Sequence, residues 1–185
     1  DDGLSLMLSA ASLDITEGAT GTIAMHLSAQ PAADVVIAVT SGDSSVATTS
    51  QAALVFTRAN YAVDQTITIT GMQDADTADN TTSIGFTSSA LMQSSLAIQV
   101  TDDDALGILP SAAVVTTPEG ASNTFTVQLS QQPTATTTVT VMSSNTAVST
   151  VSPATLTFTT SDYNIPQTVT ISAPNDDDVA DNTAT

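Results

Sequence analysis

The chain has 185 residues, 19 acids against a single Lys/Arg residue (Arg58), and a formal net charge of −18. With almost nothing to displace counterions from phosphates, it is excluded as a nucleic-acid binder, and the same imbalance argues against docking on anionic membranes. At 41% hydrophobic residues it has the composition of a folding chain, not of an acidic disordered tail, and no apolar run approaches the roughly 20 residues that a membrane helix needs.

Taken in order, the residues alternate with period two, the pattern of half-buried strands. In Thr22-Ile23-Ala24-Met25-His26-Leu27-Ser28, for example, Ile23, Met25 and Leu27 share one face. The predicted strands are 4–8 with 11–15, 22–28, 34–40, a broken 46–56, 65–70, 81–88 and 94–101. Glu-Gly, Gln-Pro, Ser-Gly-Asp and Gly/Asp-rich turns separate them. Seven short strands without a helical segment predict an all-β, immunoglobulin-like antiparallel sandwich.

Strand 94–101 runs into Asp102-Asp103-Asp104, and then the same unit begins again. Glu17-Gly18 recurs as Glu119-Gly120, 102 residues later (119 − 17), and without any gap Leu27-Ser28-Ala29-Gln30-Pro31 meets Leu129-Ser130-Gln131-Gln132-Pro133. Phe56 meets Phe158, Tyr61 meets Tyr163, and Gln65-Thr66-Ile67-Thr68-Ile69 meets Gln167-Thr168-Val169-Thr170-Ile171. An internal repeat of this kind predicts tandem domains joined by an acidic linker. Residues 1–104 form a complete copy, and residues 105–185 form a second that lacks its final strands, because the counterparts of 84–101 fall beyond Thr185. Asp1-Asp2 aligns with Asp103-Asp104 and reads as the junction of a preceding copy.

If successive strands alternate in direction, the first, third and fifth connections and the end of the last strand share one pole. That pole collects Glu17, Asp43, Asp74, Asp76, Asp79, Asp102, Asp103 and Asp104, while Asp34, Asp64 and Arg58 go to the other. A reversal within the broken fourth strand would spoil this sorting. Two like charges ~4 Å apart repel by about 1–4 kcal/mol in wet surroundings. Several such pairs between ordered strands therefore predict a counter-ion. The chain has no cysteine for disulfides and no lysine for a Lys–Asn isopeptide bond, which leaves metal binding as the available brace. Carboxylate oxygens suit calcium, which takes about 6–8 of them, better than magnesium.

With these residues in view, the chain resembles the Calx-beta family, calcium-binding sandwiches of sodium–calcium exchangers that also occur in tandem in large bacterial surface proteins. The resemblance rests on the Glu-Gly after the first strand, the Asp-x-Asp-x-x-Asp loop after the fifth, and the closing Asp-Asp-Asp. It implies calcium ligands at Glu17, Asp74, Asp76, Asp79 and Asp102 to Asp104, with Asp43 from the third connection. In the second copy it implies Glu119, Asp176, Asp178 and Asp181, with Asn145 where Asp43 would recur. The Leu-Ser-x-Gln-Pro and Gln-Thr-Val-Thr phrases look more like the adhesin version than the exchanger version.

The other candidate chemistries are weak. His26 lies on a polar strand face and aligns with Gln128, and the many Ser and Thr lack a partner base. The paired carboxylates have no aromatic platform beside them, so no enzyme is expected, and all six aromatics fall at core positions. Asn80-Thr81-Thr82 is a formal glycosylation sequon that the second copy loses. The expected function is a calcium-rigidified extender module of an extracellular or cell-surface protein, an adhesin-type array whose partners are its neighbouring repeats. The alternative is a ligand-binding or filament-forming sandwich that exchanges strands with identical subunits.

Overall fold

The computed structural model describes residues 3–175 and 182–185. It is all-β, and no helix in it is long and apolar enough to cross a membrane. Two compact units divide it: Asp1–Asp74 with Ala78–Asp103, and Ala75–Thr77 with Asp104–Thr185.

In the first unit the strands are β1 (Leu6–Leu8), β2 (Ser12–Thr16), β3 (Thr20–Leu27), β4 (Val35–Ser41), β5 (Ala47–Thr49), β6 (Ala53–Phe56), β7 (Gln65–Gly71), β8 (Asn80–Thr87) and β9 (Ser94–Thr101). They form two sheets, β1-β3-β7-β5 and β2-β9-β8-β4-β6. Alternation decides what each strand buries. Ile23, Met25 and Leu27 of β3, Ile67 and Ile69 of β7, Ile37 and Val39 of β4, Ile84 and Phe86 of β8, and Leu96, Ile98 and Val100 of β9 meet in one shared core. The outward positions are Thr-rich: Thr20 stands opposite Thr70, and Thr22 opposite Thr68. Such uncharged β-branched pairs suit an exposed strand face.

Two predicted strands behave differently from a plain meander. The first predicted strand changes sheet at Ser9–Ala11, so β1 lies beside β3 while β2 lies beside β9. Because the chain crosses to the facing sheet without reversing, β2 runs parallel to β9, with Leu13 opposite Ile98, where a purely antiparallel sandwich was expected. The broken fourth strand does the same: β5 pairs with β7 and β6 with β4. Both pairings are antiparallel and the break does not reverse the chain, so the alternation of strand directions survives. The end strand β6 is also tied down by a side chain. The Gln65 amide donates to the Val55 carbonyl of β6 at 2.8 Å.

The second unit contains β10 (Ile108–Pro110), β11 (Ser122–Leu129), β12 (Thr137–Thr140), β13 (Thr150–Ser152), β14 (Thr155–Phe158) and β15 (Gln167–Ser172), in sheets β10-β11-β15-β13 and β12-β14. Its registers repeat those of the first unit. Phe125 pairs with Val169 as Ile23 pairs with Ile67, and Val139 pairs with Leu156 as Ile37 pairs with Leu54. Gln167 donates to the Thr157 carbonyl as Gln65 does to Val55. Ser144 N–H donates to the Thr185 carbonyl, matching Gly42 and Ser83. The core is Val127, Leu129, Val139, Leu156, Phe158 and Val169, with Phe125 and Tyr163 packed against it.

The turns after Phe56 and after Phe158 are closed by an amide in one unit and a carboxylate in the other. Asn60 Oδ1 accepts from the N–H and hydroxyl of Thr57, the hydroxyl at 3.0 Å. Asp162 Oδ1 accepts from the same groups of Thr159, the hydroxyl at 2.7 Å. Those bonds, the backbone one foremost, hold the Asp162 carboxyl below its ordinary 3.8. A depressed carboxyl contributes stability above its unfolded pKa and loses it as pH falls through the folded one. Acidification below 3.8 is therefore expected to lower the hydrogen-exchange protection of Thr159 N–H but not of Thr57 N–H, and Asp162→Asn should abolish the difference. Equal acid sensitivity of the two amides would contradict this account.

Candidate metal centre

β2 ends at Thr16, and the next two residues tie three strand ends together. Glu17 N–H donates to the carbonyl of Thr101, the last residue of β9, and Gly18 N–H to that of Gly71, the last residue of β7. Gly18 has φ 66°, a left-handed conformation that glycine adopts without a Cβ clash. This geometry turns the Glu17 side chain inward. At 4% exposure it is the one buried charged side chain among the described residues.

Acids from the neighbouring segments gather around it. Asp74, three residues past β7, donates its N–H to Glu17 Oε2 at 3.3 Å, and its own Oδ2 receives the Asn80 amide at 3.0 Å. Asp102 follows β9 directly, and its N–H donates to Asp79 Oδ1 at 3.0 Å. Asp79 Oδ2 also receives the Gln99 amide at 3.5 Å, and Asp103 Oδ1 receives the Gln73 amide at 3.2 Å. Carboxylate oxygens of Glu17 and Asp102 come within 4.8 Å of each other, as do those of Asp74 and Asp102. Burial pushes the Glu17 carboxyl above its ordinary 4.5; the Asp74 N–H opposes this, and the charges of Asp74, Asp102 and Asp103 push it further up.

Of the residues expected at this pole, the first unit thus brings together Glu17, Asp74, Asp79, Asp102 and Asp103. Asp43 is outside that group. Its Oδ1 accepts from Ser45 N–H (2.9 Å) and Ser45 Oγ (2.6 Å), bonds that hold its carboxyl below the usual range. Asp76 and Asp104 are half-buried and count with the second unit. Glu119 is exposed there, on a turn that repeats the first: Gly120 has φ 69° and donates to the Ala173 carbonyl. Asp176, Asp178 and Asp181 lie outside the described residues.

What the sequence pattern did not reveal is the set of neutral donors. Gln73, Asn80 and Gln99 each aim an amide at a carboxylate. Asn80 is legible in sequence as a glycosylation sequon, but its amide is engaged by Asp74 and the Ala78 carbonyl. These hydrogen bonds to the acids come from backbone and amide N–H groups, and the candidate metal-ligand atoms gathered here among the described residues are carboxylate oxygens. Hard oxygen ligands of this sort fit calcium chemistry.

A carboxyl with a raised pKa destabilises the fold once it ionises, and the loss grows as pH rises from the unfolded pKa through the folded one. In the presence of chelator at neutral pH, Glu17→Gln is therefore expected to raise the melting temperature by a few degrees. The gain should vanish on acidification toward 4.5, where the wild-type side chain becomes neutral. A variant that melts lower than wild type in chelator at neutral pH would show that the Glu17 charge is not a burden.

No protein-family model matches the chain, and no curated protein matches it. Among solved structures it is similar to one described as "Chaperone-tip adhesin complex is vital for synergistic activation of CFA/I fimbriae biogenesis". That match has a TM-score of 0.44 at 8% identity and covers 97% of this chain and 90% of the other. It is also similar to the YadV chaperone, with a TM-score of 0.38 at 11% identity and the same two coverages.

Proposed function

We propose that this chain is a calcium-stabilised structural module of an extracellular or cell-surface protein, one stretch of a tandem, Calx-beta-like array that extends a binding tip from a surface. The observation that carries the proposal is Glu17. A carboxylate buried to 4% exposure beside Asp74, Asp102 and Asp103 is a costly arrangement for a chain with one Arg and no Lys. Bound calcium supplies the positive charge that offsets this repulsion. Glu17, Asp74, Asp102 and Asp103 would hold it, with Asp79 and the amides of Gln73 and Asn80 orienting the acids. These residues sit on the turn after β2, the segment after β7 and the exit of β9, so one ion ties the last strand's exit to both sheets. A segment held at that point resists bending where the next copy begins, which is what an extender requires.

Extracellular calcium modules bind with Kd of about 10⁻⁴–10⁻³ M. At ten times Kd the gain is roughly 1.4 kcal/mol, or about 5 °C in melting temperature for a domain of this size. Millimolar calcium is therefore expected to raise the melting temperature by that amount and magnesium by much less. Asp102→Ala should remove the response while leaving the chelated protein folded. Identical melts in calcium and in chelator would defeat the proposal.

A further inference from the structure

The first unit carries a second cluster of donor atoms, on the outer face of the β1-β3 pair. Met7 and His26 are directly opposite each other in the register. Leu6 and Leu8 pack on the core, and Met25 and Leu27 are buried, so alternation sets Met7 and His26 on the outside together. Their Cβ atoms are then about 4.5–5.5 Å apart. Met7 is 45% exposed and the His26 side chain 42%.

The His26 ring is not a free rotor. Its Nδ1 lies 2.8 Å from Asp64 Oδ1. An ionised carboxylate can only accept, so Nδ1 donates, and in the neutral ring Nε2 keeps its lone pair. One ring nitrogen held by a carboxylate while the other stays available is how ligand histidines are oriented. The donors on offer are a thioether sulfur, whose contact from Ser5 Oγ at 3.8 Å is weak, and an imidazole nitrogen. That pair selects a soft ion, cuprous copper above all. The acidic pole, made of oxygens, cannot compete for it, and the net charge of −18 favours the approach of any cation.

The second unit serves as an internal control. In the same register it has Leu109 opposite Gln128, and Pro166 in the position of Asp64. All three groups are replaced together there, while the strands that carry Leu109 and Gln128 keep their pairing. As a surface ion pair alone, His26–Asp64 adds little to stability.

We propose that Met7 Sδ and His26 Nε2 form a two-ligand site for a soft monovalent metal ion, cuprous copper, with Asp64 as the positioning residue. The test uses the full chain, titrated anaerobically with Cu(I) under ascorbate and separately with Ag(I), which needs no reductant. Methionine methyl and histidine ring resonances are followed throughout. The expected result is saturable binding of one ion, moving the Met7 methyl and the His26 ring. Met92 and Met142, which are also exposed, should stay still. Met7→Leu and His26→Gln, the residues the second unit uses, should each abolish saturable binding without changing the melt. Asp64→Asn should weaken it about 10–100-fold. The proposal is overturned if the Met7 methyl does not move, if Met7→Leu binds as tightly as wild type, or if Met92 and Met142 shift alongside Met7. An unchanged affinity in Asp64→Asn would remove Asp64 from it.

Discussion

Two backbone hydrogen bonds at one turn hold the first unit's acidic end in order: Glu17 N–H to Thr101 and Gly18 N–H to Gly71. They join the end of β2 to the ends of β9 and β7, which belong to different sheets. The Glu17 side chain on that turn is buried where β9 closes over it, whereas Glu119, on the matching turn of the second unit, is exposed. The crowd of acids around Glu17 follows from where β7 and β9 finish. Glycine at the following position is what allows the turn to be so tight.

The separation of apolar, hydroxylated and charged residues serves the same end. Alternation puts Ile, Val, Leu and Phe between the sheets and Thr on the outer faces, and every described acid except Asp14 of β2 lies in a connection. A chain with a net charge of −18 can fold as a sandwich because no two acids oppose each other across its described strands: Asp14 of β2 stands opposite the neutral Gln99. His26 on β3 and Asp64, just before β7, are matched to each other.

Much of this was legible beforehand. Period-two alternation gave every strand of the first unit to within a few residues, because each has one buried and one exposed face. The 102-residue shift relates the pairing of β3 with β7 to that of β11 with β15, but the sequence itself named neither pairing. Sheet switching was not legible. Nothing local in Ser9-Ala10-Ala11 or Ser50-Gln51-Ala52 says that the chain will cross to the facing sheet, since either sheet would bury the same apolar residues. For that reason the parallel pairing of β2 with β9 was missed. At the acidic pole, the convergence of Glu17, Asp74 and Asp102 could be read from strand direction alone. The part played by Asp43 could not: an Asp two residues before a Ser can serve a local turn as readily as a distant ion.

The glutamine at the head of β7, with its counterpart at the head of β15, has a bearing on crowding. Gln65 and Asn60 both donate to the Val55 carbonyl, and Gln167 donates to that of Thr157. β6 closes one side of its sheet, and an uncovered carbonyl there is an invitation to a strand from another molecule. A side chain supplied from the facing sheet occupies the acceptor first. Sequences able to pair wrongly do so most readily at high local concentration, and a border strand whose outward carbonyl is already occupied offers them less to pair with.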